Sequence, residues 1–188
     1  MNILKQSKSG AILILIILIS TVTILISTTL LSAAVMNYKM KKLNSKVKHV
    51  FYTSESVMEE AYLISVGFVE DALIYADGKD EEHFKEAYVN FIQGKCNDLT
   101  ASKSIAAVVK DKSKYIVYKD DCYKIDAKLT AKNDLFQLEI TSTYSKNNID
   151  KQLKLICRLN TLKDNSKDSL INIKAEDLIH IIDWKVER

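Results

Sequence analysis

From Ser9 to Tyr38 the chain carries no charged residue. Within that run, Ala11–Met36 (AILILIILISTVTILISTTLLSAAVM) is almost wholly aliphatic or small. As an α-helix these 26 residues extend about 39 Å, against roughly 30 Å of bilayer hydrocarbon. The apolar core of a signal peptide is shorter, about 7–15 residues. A buried soluble helix is seldom apolar on all sides over such a length. Residues 11–36 therefore read as a membrane-spanning helix with lipid as its first partner.

Apolar positions continue beyond the span. They recur in alternating steps of four and three at Met36, Met40, Leu43, Val47, Val50, Ser54, Val57, Ala61, Ile64, Phe68, Ala72 and Tyr75, with Ser54 the one polar member. Such spacing draws one narrow seam along a helix. Little interrupts it: the chain has no proline and four glycines, where average usage gives about 9 and 13. Gly67 lies inside the helix at a cost of about 1 kcal/mol. Asp77-Gly78 is expected to end it, with the glycine in the left-handed conformation. One helix is thus expected from Ala11 to Ala76, on the order of 100 Å long. Its residues 37–76 would face a globular domain on one side only.

Three readings fit the start of the chain. MNILKQSKSG is short and polar, with Lys5 and Lys8, and ends on Gly10. It suits a plain signal anchor, or a signal peptide cut after Ala34 at the small residues Ser32-Ala33-Ala34. It also suits a class III leader, cut between Gly10 and Ala11, after which the membrane helix survives. A lipoprotein anchor is excluded because no cysteine precedes Cys96.

A second segment bears on this choice. Phe51-Tyr52-Thr53-Ser54-Glu55-Ser56-Val57-Met58-Glu59-Glu60-Ala61 resembles the segment Phe-Tyr-x-Ala-Glu-x-Gly-x-Glu-x-Ala of a subgroup of minor type IV pilins. Phe51, Tyr52, Glu55, Glu59 and Ala61 match; Ser54 and Val57 replace the usual Ala and Gly. Together with the leader and span, this resemblance covers residues 1–76. It implies an α+β fold: a long membrane-spanning helix packed against a small antiparallel β-meander. It also implies a leader (1–10) processed at Gly10 and Ala11, and filament packing through Leu15, Met36, Met40, Leu43 and Val47. The implied partners are other pilin subunits, a prepilin peptidase and the pilus assembly machinery. The implied location is a bacterial cytoplasmic membrane, crossed once, with residues 37–188 outside and surface display after assembly.

Two departures refine the resemblance. Most pilins have Glu at the fifth mature position, where it pairs with a neighbour's amino terminus; here that position is Leu15. A carboxylate in an apolar bundle is costly unless paired, and its absence fits a minor or tip subunit, or a pseudopilin of a secretion system, rather than a repeating one. Ala11 stands where a bulky residue is common.

Charge along the helix is ordered. Lys39, Lys41, Lys42, Lys46 and Lys48 form a basic band, and Glu55, Glu59, Glu60, Glu70 and Asp71 an acidic one. These are either solvated faces, the lysines lying on anionic headgroups, or complementary bands between staggered helices. Counting basic residues around the span alone would leave residues 39–188 in the cytoplasm. Long translocated domains follow that rule poorly, and the resemblance places them outside.

Residues 77–188 read as a small α+β domain. Asp80–Ile92 has helical spacing, with Gly94 as its cap. Thr100–Val109 is ambiguous between helix and strand. Strands are expected at Tyr115–Tyr118, Cys122–Leu129, Leu135–Tyr144, Lys151–Leu159 and Leu178–Val186, with a turn at Lys146-Asn147-Asn148. Asn160–Ser169 reads as a polar loop.

No enzyme is expected, and no metal or cofactor. His49, His83 and His180 are scattered, and Asp164–Asp168 lacks the Gly and Glu of a calcium hand. Cys157 reads as a small core residue; a Cys96–Cys122 disulfide is compatible with an extracytoplasmic location. The net charge is +3, falling to +1 (25 basic, 24 acidic) without Lys5 and Lys8. That offers no field for direct nucleic-acid binding. Of the 27 basic residues only Arg158 and Arg188 are arginine, which suits an AT-rich genome. The alternative to a pilin-like subunit is a single-pass anchored sensor or binding module, in which residues 11–36 only tether the domain.

Overall fold

The structure, a computed structural model, describes residues 3–79, 83–96, 102–112, 123–132, 135–146, 149–161 and 173–187. It divides into two units, Met1–Lys48 and His49–Arg188. Helix α1 (Ile3–Asp77) contributes to both. The second unit adds α2 (Phe84–Gln93), α3 (Ile105–Lys112), β1 (Tyr123–Lys132), β2 (Leu135–Lys146), β3 (Ile149–Asn160), the short α4 (Ala175–Leu178) and β4 (Ile179–Glu187). The expected α+β architecture is the one observed: a long apolar N-terminal helix and a four-stranded antiparallel sheet.

Helix α1 differs from expectation at both ends. It begins at Ile3, before the anticipated Ala11, since nothing in ILKQSKSG forbids helix and the single Gly10 costs only about 1 kcal/mol. At the other end Gly78 does not adopt the left-handed conformation, which among the described glycines belongs to Gly94. The Gly78 amide still donates to the Ile74 carbonyl at 3.3 Å, and the Lys79 amide donates to Ala76 at 3.0 Å. The helix thus closes by a tightened last turn, which needs no positive φ.

Within the second unit α1 buries Val50, Thr53, Ser54, Val57, Met58, Ala61, Ser65, Phe68, Val69, Ala72 and Ala76. The stripe is wider than the single file expected. Thr53, Met58, Ser65, Val69 and Ala76 lie outside that file; Ile64 and Tyr75 sit at its margin, half-buried. A helix covered by other helices and a sheet needs an apolar face of at least about 100° rather than a coiled-coil seam. Ring pairs Phe68–Phe91 and Tyr75–Phe91, each with centroids 5.1 Å apart, join α1 to α2.

Helix α2 follows the predicted spacing, burying Phe84, Tyr88, Phe91 and Ile92. Gly94 ends it at φ 71°. The Gly94 amide donates to Phe91 at 3.0 Å and the Lys95 amide to Asn90 at 2.8 Å, the paired hydrogen bonds of a Schellman motif. The ambiguous stretch resolves into α3, which buries Ile105, Ala106 and Val109.

The sheet is a meander in the order β1-β2-β3-β4. Its inner face carries Phe136, Leu138, Ile140, Ser142 and Tyr144 of β2 opposite Leu159, Cys157, Leu155, Leu153 and Lys151 of β3. All of these except Lys151 are buried, as the period-two pattern predicts. Full burial contributes about 1.5–3 kcal/mol for each large aliphatic side chain. Strand β1 places Tyr123, Ile125, Ala127 and Leu129 half-buried on the same face, and the Tyr123 and Tyr144 rings pair across strands at 4.7 Å. The last strand starts at Ile179, because Leu178 belongs to α4. The expected strand at Tyr115–Tyr118, the turn residues Asn147-Asn148 and most of Asn160–Ser169 lie outside the described residues.

Candidate membrane and assembly segment

Every residue from Gly10 to Lys46 is exposed. Leu15 is 58% exposed, Leu25 64% and Met36 69%. Long aliphatic side chains on all sides of a helix, none covered by its own chain, require an apolar surrounding. Their backbone groups are paired within the helix. The hydroxyls of Thr21, Thr23, Ser27, Thr28 and Thr29 donate to carbonyls three or four residues earlier, at 2.8–2.9 Å. These groups therefore need no water, which is what a hydrocarbon environment demands. Helix α1 is long and apolar enough to cross a membrane, and among the described residues it is the one helix that is.

The proposed processing residues, Gly10 and Ala11, sit in α1 and are exposed. A Cβ built on Gly10 would meet nothing within 4 Å. Among the packing candidates Met36, Met40 and Leu43 are exposed, and Val47 is half-buried. The structure therefore separates one continuous sequence pattern into two: an uncovered part through Leu43 and a covered part from Val50.

Helical rotation divides the Phe51–Ala61 segment. Phe51 packs partly against the core, Ala61 is fully buried, and Tyr52 points outward at 64% exposure. The Phe51 and Tyr52 rings meet edge to face at 5.8 Å. Thr53 is buried, and its hydroxyl donates to the His49 carbonyl at 2.8 Å. Ser54 is 1% exposed, yet its hydroxyl has no hydrogen-bond partner among the described residues. A buried unpaired hydroxyl costs about 1–3 kcal/mol, which an alanine there would avoid. Glu59 is exposed and Glu55 half-buried. Neither band forms an ion pair among the described residues. Both remain available to headgroups or to another chain.

Other polar groups make contacts within the second unit. The Tyr62 hydroxyl donates to the Ile179 carbonyl at 3.5 Å; burial, with Cys157 and Glu176 nearby, raises its pKa above the usual tyrosine value. Cys157 is buried in the sheet, and burial pushes its thiol up to about 12, which keeps it protonated and unreactive. Cys96 is half-buried and pairs with no other cysteine among the described residues. Cys122 lies outside the described residues, and so does the expected Cys96–Cys122 pairing. Lys110 of α3 donates to Asp126 of β1 at 2.8 Å and holds that carboxyl below the usual range. Among the described residues no three His, Cys, Asp or Glu side chains cluster as metal ligands. Compared with known proteins, the chain matches no family model, no curated protein and no solved structure.

Proposed function

We propose that this chain is a non-enzymatic, minor pilin-like subunit that helps initiate, cap or decorate a filament of the type IV pilus or type II secretion kind. One observation carries the reading. Helix α1 runs continuously from Ile3 to Asp77, is uncovered from Gly10 to Lys46 with an apolar stretch at residues 11–36, and then buries a stripe in an α+β unit. A tether alone needs no helical continuity between span and domain. A subunit that packs laterally through the same helix does.

In this mechanism the leader is removed after Gly10. The uncovered segment first lies in lipid and then exchanges lipid for the helices of neighbouring subunits. Leu15, in place of a buried carboxylate, brings no charge that a neighbour must neutralise. The basic and acidic bands set register more than strength, because exposed ion pairs contribute only about 0–1 kcal/mol each. Residues 37–188 lie on the extracytoplasmic side.

Mass spectrometry of the mature protein tests the reading. The expected N-terminus is Ala11. A start at Met1 would mark a plain anchor and a start at Val35 a secreted domain; either result overturns the proposal.

A further inference from the structure

At the end of the sheet, Arg158, Asn160, His180, Ile181 and Ile182 line a shallow open groove of about 320 Å³. Its origin is a break in register. Arg158 faces His180, Cys157 faces Ile181, and Ile156 faces Asp183, so Ile182 has no counterpart on β3. In a regular strand successive side chains alternate between faces. An extra residue disrupts that alternation, and three consecutive residues, His180, Ile181 and Ile182, come to line one groove. Ile181 and Ile182 are 48% and 49% exposed.

The polar side of the groove is basic and unsatisfied. Arg158 is exposed and has no acidic partner among the described residues. Glu139, its diagonal neighbour on β2, is held by Lys154 at 2.7 Å. Arginine is also rare in this chain, with lysine filling 25 of 27 basic positions. The guanidinium differs from lysine in offering a planar fork that fits a carboxylate with two hydrogen bonds. Asn160 and His180 add donors beside it. Strand β4 is last in the sheet order and pairs with β3 alone among the described strands, so its outer edge offers main-chain groups for pairing.

We propose that this groove and the β4 edge bind an extended peptide of a partner protein, one that presents a carboxylate side chain next to an aliphatic one. Arg158 takes the carboxylate, Ile181 and Ile182 take the aliphatic side chain, and β4 supplies main-chain hydrogen bonds in the manner of an added strand. The groove is open and at the small end of the roughly 300–1,000 Å³ of ligand pockets, which favours a peptide lying across it over an enclosed small molecule. The proposal does not depend on processing at Gly10 or on filament assembly.

The full chain, in detergent micelles, carries its own reporter in Trp184, its single tryptophan, on β4 opposite Leu155. The probe is a capped peptide of about eight residues alternating valine and glutamate, a length that matches ordinary strands. Saturable change in Trp184 emission is expected, with slowed amide exchange over residues 180–183. Affinity should fall at least about tenfold when glutamate is replaced by glutamine in the peptide, and equally with Arg158→Gln, an exposed substitution that leaves the circular dichroism unchanged. Absence of saturable binding overturns the proposal. So does an affinity within about twofold for the glutamine peptide or the Arg158→Gln protein. Free glutarate binding as tightly as the peptide would assign a small-anion site instead and equally overturn it.

Discussion

Residues 10–46 and residues 50–76 belong to one helix with one backbone hydrogen-bond pattern, and they meet opposite surroundings. Every residue of the first stretch is exposed, whereas the second buries 11 of its 27 residues. The contrast is one of arrangement as well as of composition, since residues 11–36 hold no charge and residues 50–76 hold five acidic ones. From Ala11 to Met36 leucine and isoleucine occupy all sides. In the second, most apolar residues are buried or half-buried on one side, and Glu59, Glu70 and Asp71 lie on the exposed side beside Tyr52, Leu63 and Ile74. Leu25 is 64% exposed and Phe68 8%, so an apolar side chain is left for an apolar surrounding in one case and stabilises the fold in the other.

The contrast is broken most sharply by truncation. Phe68→Ala removes a ring packed 5.1 Å from that of Phe91 and should cost the α+β unit about 3–5 kcal/mol. Leu25→Ala should leave its unfolding transition unchanged, since Leu25 covers nothing in the chain. Thermal unfolding followed by Trp184 emission in micelles measures both. Comparable losses from the two variants would mean that the stretches do not differ as described.

Added charge reverses the order of sensitivity. Arginine at the centre of a membrane helix costs about 2.5–3.5 kcal/mol on insertion scales, so Leu25→Arg should deplete the protein from washed membranes. Leu63, 66% exposed on the second stretch, is matched in exposure but not in surroundings. Leu63→Arg should leave the membrane fraction intact and change stability by no more than about 0.5 kcal/mol. Equal retention of both variants would remove lipid as the solvent of the first stretch.

Much of this was legible in the residue pattern, because the signals are local. An unbroken apolar run, a three-and-four seam and period-two alternation in Phe136–Tyr144 and Leu153–Leu159 each specify an element without reference to the rest of the chain. What was not legible depends on partners distant in sequence. The width of the buried stripe, with Met58, Val69 and Ala76, is set by elements packed around α1, and a seam drawn from spacing alone cannot include it. The bulge at Ile182 arises from pairing with β3 and leaves no mark in IHIIDW. The groove joins Arg158 and His180 from separate strands; its one trace in the sequence is an arginine in a chain that otherwise uses lysine. Gly78 and Gly94 show the same limit, since both follow a helix and only the second turns left-handed.

Glycine offers the finest test of the contrast between a covered and an uncovered helix face. A Cβ on Gly94 would lie 2.3 Å from the Ser104 amide nitrogen, at a φ of +71° that L side chains rarely adopt. Gly94→Ala should therefore cost about 2 kcal/mol or more, combining backbone strain with a displaced neighbour. A Cβ on Gly67 would meet nothing within 4 Å, in a helix interior where alanine is favoured by about 1 kcal/mol. Gly67→Ala should then raise stability by about 0.4–1 kcal/mol, mostly by restricting the unfolded chain. Chemical denaturation of the two variants measures effects of opposite sign. A loss at Gly67 would show that its open face is covered by something that needs the missing side chain, as a close-packed neighbouring helix would.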